Sequence, residues 1–298
     1  MNGRRPLLVV TGCTASGKTS ALLRLARTAP LEVVSADSRQ VYRGMDTGTA
    51  KPSREEMEAV PHHLVDILDP DQGYSAGSFA RDALRIVREI SERGRIPVVA
   101  GGTVLYLMAL TGGLDDLPVA HGPLRKTLLA MDASSPGFLH RMLQRLDPAT
   151  AGRLSAADSV RTVRAIEIIL LSGRRASALR TGGSNRGGFR IVSLETDRAE
   201  LRRRIARRTS LMLSAGLVDE TRSLLSRGYG RASALGRTIG YSECLDLLDG
   251  RTETGRLPGL IEAATWRYAR RQRNMIGRLK PDAVLGGDDP EGLARFLG

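Results

Sequence analysis

One octapeptide constrains this chain of 298 residues more than any other feature. Gly12-Cys13-Thr14-Ala15-Ser16-Gly17-Lys18-Thr19 satisfies the spacing GxxxxGK[ST], and it stands in the context that gives the spacing meaning. The apolar run 7–11 precedes it, and a helical pattern opens at Lys18. Its glycines let successive backbone N–H groups turn inward on phosphate oxygens, and the helix that follows offers its positive end. Lys18 supplies a mobile point charge, and Thr19 a hydroxyl for Mg²⁺. Gly12 through Thr19 are therefore expected to bind a di- or triphosphate. The loop alone does not say which.

Further short apolar runs, bounded by small residues, lie at 31–35, 96–100, 191–194 and, weakly, 283–285. Helical patterns over 18–28, 78–93, 199–227 and 257–278 alternate with them. That alternation predicts a buried parallel sheet of βαβ type. The middle of the chain is different, with no convincing strand and amphipathic patterns near 122–131, 137–146 and 159–171. Leu143, Leu146, Leu154, Val160, Val163, Ile166 and Ile169 supply their apolar faces. Residues 181–188, rich in glycine, read as a flexible return to the sheet. The fold class is thus α/β: a parallel sheet flanked by helices, in two parts at 1–116 and 184–298, with an all-helical insertion at 117–183.

Composition narrows the partners. Net charge is +13 and the isoelectric point about 10.7. Among the 45 basic residues only Lys18, Lys51, Lys126 and Lys280 are lysines. A GC-rich genome explains arginine over lysine but not basic over acidic, so a polyanion such as nucleic acid is the expected partner. Cys13 and Cys244 belong to no CxxC or Cys/His cluster, which excludes a disulfide framework and a zinc site of their own making. No long uncharged apolar run exists, so no membrane span is expected, and the protein is read as cytoplasmic and monomeric.

Two more positions suit chemistry at the carboxyl edge of the sheet. Asp37 follows the run 31–36, in the place of an acid beside the phosphate loop. The run 96–100 ends in Gly101-Gly102-Thr103 and carries no acid. Thr103 is therefore a candidate contact to phosphate or to a leaving group. The pair His62 and His63, and the rings of Tyr106, Trp266 and Tyr268, read as packing elements rather than as a metal site or stacking platforms.

With these residues in place the chain resembles the tRNA dimethylallyltransferases (isopentenyl transferases). The resemblance rests on loop 12–19, the continuous block 35–52, Pro61-His62-His63-Leu64-Val65-Asp66 and Tyr74-Ser75-Ala76. It continues through Gly101-Gly102-Thr103-Val104-Leu105-Tyr106, 161–167, Ile239-Gly240-Tyr241 and Arg270-Arg271-Gln272. It implies a P-loop NTPase-like core reused for prenyl transfer from dimethylallyl diphosphate, with Mg²⁺, to the exocyclic amine of an adenosine adjoining the anticodon. It also implies that the anticodon stem-loop is gripped between core and insertion with the target base flipped out.

An exocyclic amine is a weak nucleophile and needs a base to take its proton, a role suited to Asp37, which can alternatively anchor the metal. Lys18, Thr19 with Mg²⁺, and Thr103 answer the charge developing on the leaving diphosphate. The resemblance adds Arg222 as a further cation there. On the tRNA side it implies Asp37, Ser38, Arg39, Gln40 and Thr103 at the target base. Arg125, Val160, Arg161, Thr162, Val163 and Arg164 are implied along the RNA.

The chain departs from the family pattern at Cys13, where proline is common, and at Asn274-Met275, where Thr-Trp is usual. Ser155-Ala156-Ala157-Asp158 is a third departure. The first leaves phosphate binding intact, and the others bear on tRNA contacts. An enzyme prenylating free adenine nucleotides would retain loop 12–19, Asp37 and Thr103 without needing the insertion or the charge. A kinase would share only the loop, and a non-enzymatic regulator would not need Asp37 and Thr103.

Overall fold

A computed structural model describes residues 6–112, 117–118, 120–179 and 188–297. In chain order the first elements are β1 (Leu7–Thr11), α1 (Lys18–Leu25), β2 (Leu31–Ser35), α2 (Arg54–Ala59) and β3 (His62–His63). Then come α3 (Ala76–Glu92), β4 (Ile96–Gly101) and α4 (Val104–Thr111). Five helices follow: α5 (Gly122–Ser134), α6 (Phe138–Leu146), α7 (Pro148–Ala151), α8 (Ser159–Ser172) and α9 (Ala176–Leu179). The chain continues through β5 (Phe189–Glu195), α10 (Arg198–Ser214), α11 (Leu217–Ser226), α12 (Tyr241–Leu248) and α13 (Leu257–Ile276). It closes with β6 (Ala283–Gly286) and α14 (Pro290–Ala294).

The chain divides into two compact units, Met1–Thr111 with Arg186–Gly298, and Gly112–Asn185, where the sequence placed the insertion at 117–183. In the larger unit six parallel strands run in the order β3-β2-β4-β1-β5-β6. Both faces of this sheet are covered. Val9, Val34, Val99 and Ile191 face α3 and α4, while Leu8, Val10, Val33, Val98, Val192 and Leu194 face the side of α1 and α14. Coverage on both sides is why these strands read as unbroken apolar runs rather than as alternating ones. Helix α3 buries Phe79, Ala80, Ala83, Ile86 and Ile90 on one stripe, and the Ser75 side chain caps its first turn.

The elements differ from the expected ones at three places. The pattern over 199–227 is two helices, because Gly216 at φ 87° ends the first in the left-handed region and opens the second. Helix α4 is apolar on every side and shows no period to read. Strand β3 has only two residues; its His63 is held by Glu32 at 2.6 Å in a packing role, whereas His62 lines a cavity beside residues 14–19. Of the expected return segment 181–188, only Gly188 lies within the described residues.

The smaller unit has its own core of Leu128, Leu139, Leu143, Val163, Ala165, Ile166 and Ile168. A fully buried Asp147 ties α7 to α9: its carboxylate accepts from the backbone N–H and hydroxyl of both Thr150 and Ser177, at 2.7–3.1 Å. Burial alone would raise its pKa, but these four donors outweigh burial and hold it at about 2, below the ordinary 3.8. A depressed carboxylate pKa adds stability above pH 3.8 that disappears as the pH falls through about 2. Asp147→Ala is expected to cost the helical unit about 2–3 kcal/mol at neutral pH. Urea denaturation followed by circular dichroism would register the loss, and an unchanged midpoint would contradict it.

Candidate active site

The phosphate loop takes its shape from two glycines that no other residue replaces. At Gly12 (φ 154°) an added Cβ would lie 2.6 Å from the Leu194 carbonyl oxygen, and at Gly17 (φ 96°) 1.9 Å from that of Gly287. Lys18 turns back over the loop and donates to the carbonyls of Gly12 at 2.9 Å and Cys13 at 2.8 Å. Burial pulls its pKa down to about 8, against the attraction of Cys13 and Asp37. The Cys13 thiol is itself pushed up by burial, among Leu201, Ile205 and Ala269. It packs the back of the loop and is no nucleophile.

A depressed lysine pKa has a measurable consequence. Only the ammonium form attracts phosphate, so diphosphate affinity is expected to fall as pH rises through about 8. Above that pH, binding draws a proton onto Lys18, and titration heats in buffers of different ionisation enthalpy should diverge. Heats identical in both buffers would contradict the coupling.

Asp37 stands just past β2, beside the loop. Its Oδ1 accepts from the backbone N–H of Arg39 at 2.8 Å and, more weakly, of Gln40 at 3.4 Å. Oδ2 has no hydrogen-bond partner among the described residues, so the carboxylate is oriented at one oxygen and available at the other. Thr103 is locked to the same turn. Its N–H donates to Ala36 O at 3.1 Å, and its hydroxyl oxygen accepts from the Ser38 N–H at 3.0 Å. This closure needs Gly101, where a Cβ would sit 2.2 Å from Ala36 O.

Loop 14–19, Asp37, Ser38, Arg39 and Gln40 line one cavity of about 1100 Å³. Gln40 is held by Ser35 and by the Ala50 carbonyl. Thr103 reaches the cavity's edge through Ser38 and through Tyr268. The Tyr268 phenol is pushed up to about 12, chiefly by burial and then by the Asp37 carboxylate. Tyr268 lines the cavity, which corrects its reading as a packing residue. Tyr106, by contrast, stacks on Phe79 with ring centroids 4.6 Å apart and belongs to the core.

Arg222 requires the main correction. It is exposed on α11, paired with Asp219, and absent from the cavity lining. A half-buried Arg208 on α10 is there instead, donating to Thr14 Oγ1 at 3.1 Å and to Thr49 O at 3.3 Å. Burial pushes its pKa down while Asp37 supports its charge. A sequence signal existed: Leu201, Ile205 and Met212 form the buried stripe of α10, and Arg208 falls in that stripe. A charge on a buried stripe calls for a partner, whereas Arg222 lies off the stripe of Leu217, Thr221 and Leu224.

Gln272 was named only within a motif. The structure gives it two contacts, accepting from the Thr14 N–H at 2.8 Å and donating to Gly102 O at 2.8 Å.

Within the helical unit, the residues expected along the RNA separate into three groups. Val160 is exposed, as is Arg161, paired with Asp158 at 3.3 Å. Arg125 and Arg164 share the fully buried Glu167, at 2.8 and 2.5 Å, so their guanidinium groups are oriented from below. Thr162 and Val163 are buried in the unit's core, which corrects their reading as contacts through side chains.

Among the described residues no cluster of three or more His, Cys, Asp or Glu can cage a metal. The donors present suit a hard ion that keeps its waters and takes phosphate oxygens: the exposed Thr19 hydroxyl and the Asp37 carboxylate, both lining the cavity. No helix of the described residues is long and apolar enough to cross a membrane.

Known proteins resemble the chain along most of its length. The family described as IPP transferase matches residues 40–278. The phosphate loop precedes that span. A tRNA dimethylallyltransferase of Burkholderia mallei (strain SAVP1) is 45% identical, over 96% of this chain and 94% of the relative. The crystal structure of a tRNA isopentenylpyrophosphate transferase from Bacillus halodurans has a TM-score of 0.69 at 34% identity, covering 99% of this chain and 97% of that one. A eukaryotic dimethylallyltransferase described as acting on tRNA has a TM-score of 0.84 at 25% identity, covering 96% of this chain and 75% of that one. Matched across most of its length in sequence and in structure, the chain belongs to the IPP transferase family.

Proposed function

We propose that the protein transfers the dimethylallyl group of dimethylallyl diphosphate to the exocyclic amine of the adenosine adjoining the anticodon in tRNA. The observation that carries this reading is the turn of Asp37, Ser38 and Thr103 in contact with the phosphate-loop cavity. A carboxylate with one free oxygen faces the same space as a cradle for phosphate. The amine nitrogen forms a bond to the allylic carbon, the carbon–oxygen bond breaks, and diphosphate leaves with the electron pair. Asp37 takes the amine proton. Lys18, Arg208 and the N–H groups opening α1 meet the charge that develops on the diphosphate, with the Thr103 hydroxyl near the departing oxygen. Mg²⁺, held by Thr19 and by Asp37 through water, would neutralise phosphate charge when bound.

The tRNA substrate is supported by the net charge of +13 and by Arg161, Arg125 and Arg164 in the helical unit. An anticodon stem-loop with the target base flipped out explains how the amine reaches Asp37. The proposed setting is a cytoplasmic monomer. Labelled dimethylallyl diphosphate offered with unmodified tRNA or with AMP tests the reading. Label is expected on tRNA alone; label on AMP but not tRNA, or on neither, would overturn it.

A further inference from the structure

Arg222 is exposed on α11, but the same helix turns another charged side chain inward. Glu220 stands three residues after Leu217 and four before Leu224, on the buried stripe. Both of its carboxylate oxygens accept from the Thr47 N–H, at 3.2 and 3.0 Å, and Oε1 also accepts from the Tyr241 hydroxyl at 2.5 Å. Tyr241, fully buried at the start of α12, in turn accepts from the Gly48 N–H at 3.2 Å. Burial first, and then the Glu220 carboxylate, push the phenol well above its ordinary pKa, so it stays protonated and donates. The Gly48 backbone lies against the phenol ring, where an added Cβ would sit 2.3 Å from a ring carbon.

The stretch tied down in this way belongs to the phosphate cavity. Gly48, Thr49, Ala50 and Lys51 all line it, and two of their carbonyl groups hold site residues. Thr49 O accepts from Arg208 at 3.3 Å, and Ala50 O from Gln40 at 3.2 Å. Local preference does not account for this shape. Ala50 has φ 47°, in the left-handed region that disfavours residues other than glycine, and such a conformation persists only where its surroundings hold it. One end of the stretch is fixed by the Lys51 ammonium, bound to Asp46, Asp66 and the Tyr42 carbonyl. The other end is fixed by Glu220 and Tyr241.

We propose that Glu220 is a positioning residue for the reaction: it fixes Thr47 and Gly48, and so places the Thr49 carbonyl that holds Arg208 against the phosphate loop. This rests on the reading that Arg208 meets the diphosphate. A guanidinium on a long stem loses rotamer freedom when it is fixed, and Arg208 has two anchors, Thr14 Oγ1 and Thr49 O. If the second anchor drifts, Arg208 keeps its charge but is no longer held ready for phosphate, and a donor fixed in advance is what such a site contributes. Glu220 itself is outside the cavity lining, so its effect passes through the backbone of residues 47–49. Helix α11 therefore bears on the site through the carboxylate of Glu220 and not through the guanidinium of Arg222.

The test is a double-mutant cycle read as affinity for inorganic pyrophosphate, by calorimetry with Mg²⁺ present. Glu220→Ala is expected to weaken pyrophosphate roughly tenfold when Arg208 is present. In an Arg208→Ala background the same change should cost less than about twofold, because no guanidinium is left to place. Tyr241→Phe removes one hydroxyl and keeps the ring packed, which covers the case in which Glu220→Ala fails to fold. It is expected to weaken pyrophosphate by roughly three- to tenfold, and this loss should likewise vanish without Arg208. A general loosening of the fold would weaken pyrophosphate equally in both backgrounds. Equal losses with and without Arg208, or wild-type affinity in both Glu220→Ala and Tyr241→Phe, would overturn the assignment. Failure of the underlying reading is separate: Arg208→Ala by itself would then leave pyrophosphate affinity at the wild-type value, and the inference would fall with it.

Discussion

Asp37→Asn is expected to lower kcat by roughly 10²–10⁴-fold while leaving diphosphate affinity close to wild type. The asparagine side-chain oxygen still accepts from the N–H groups of Arg39 and Gln40, so the turn that carries it survives. The neutral amide has no capacity to take the proton of the attacking amine. Single-turnover rates with a saturating anticodon stem-loop isolate this step, and a rate within threefold (about 0.7 kcal/mol) of wild type would remove Asp37 from the base role. If Asp37 served only to anchor metal, raising Mg²⁺ would restore the rate. If it is the base, added metal changes little.

The second large effect separates two arginines. Arg208→Ala is expected to reduce kcat/KM by about 10²–10³-fold, the usual cost of removing one fixed donor to developing negative charge in a water-poor site. Arg222→Ala is expected to leave kcat/KM within a factor of about two, because its guanidinium is exposed and paired with Asp219, an arrangement worth at most about 1 kcal/mol and outside the cavity lining. Steady-state kinetics on both variants decides the matter. Equal losses would return Arg222 to the site, and no loss at Arg208 would remove that residue from it.

The contrast shows where sequence reading succeeds and where it stops. The phosphate loop was legible because its chemistry is local: strand, glycines, Lys18 and helix lie within 19 consecutive residues, and backbone N–H groups do the binding. The amphipathic helices of the insertion were legible for a similar reason, since a helix with one buried face repeats its apolar residues at a readable period. Helix α4, apolar all round, and β3, too short to show a period, left no such trace. Gly216 escaped notice because the apolar pattern runs across it, and only its φ of 87° shows the break.

Asp37 and Thr103 were legible as candidates because each follows a strand, and strand ends in a parallel sheet meet at one edge. Arg208 was one of many arginines, and its burial depends on which face of α10 turns inward. Thr162 and Val163 show the opposite case: a helix turns about 100° at each residue, so only part of the segment 160–164 faces outward and these two side chains turn into the core.

What the sequence determined by itself is a loop at residues 12–19 with the makings of a phosphate cradle, because that capacity is written into consecutive backbone groups. Tertiary structure alone decided how many of those groups remain open. Gln272 lies 258 residues from Thr14, and only the packing of α13 against α10 and α4 brings its carboxamide to the Thr14 N–H. The same packing sets Arg208 against the loop from α10. Local spacing specifies donors, whereas their partners come from elements whose separation along the chain carries no signal.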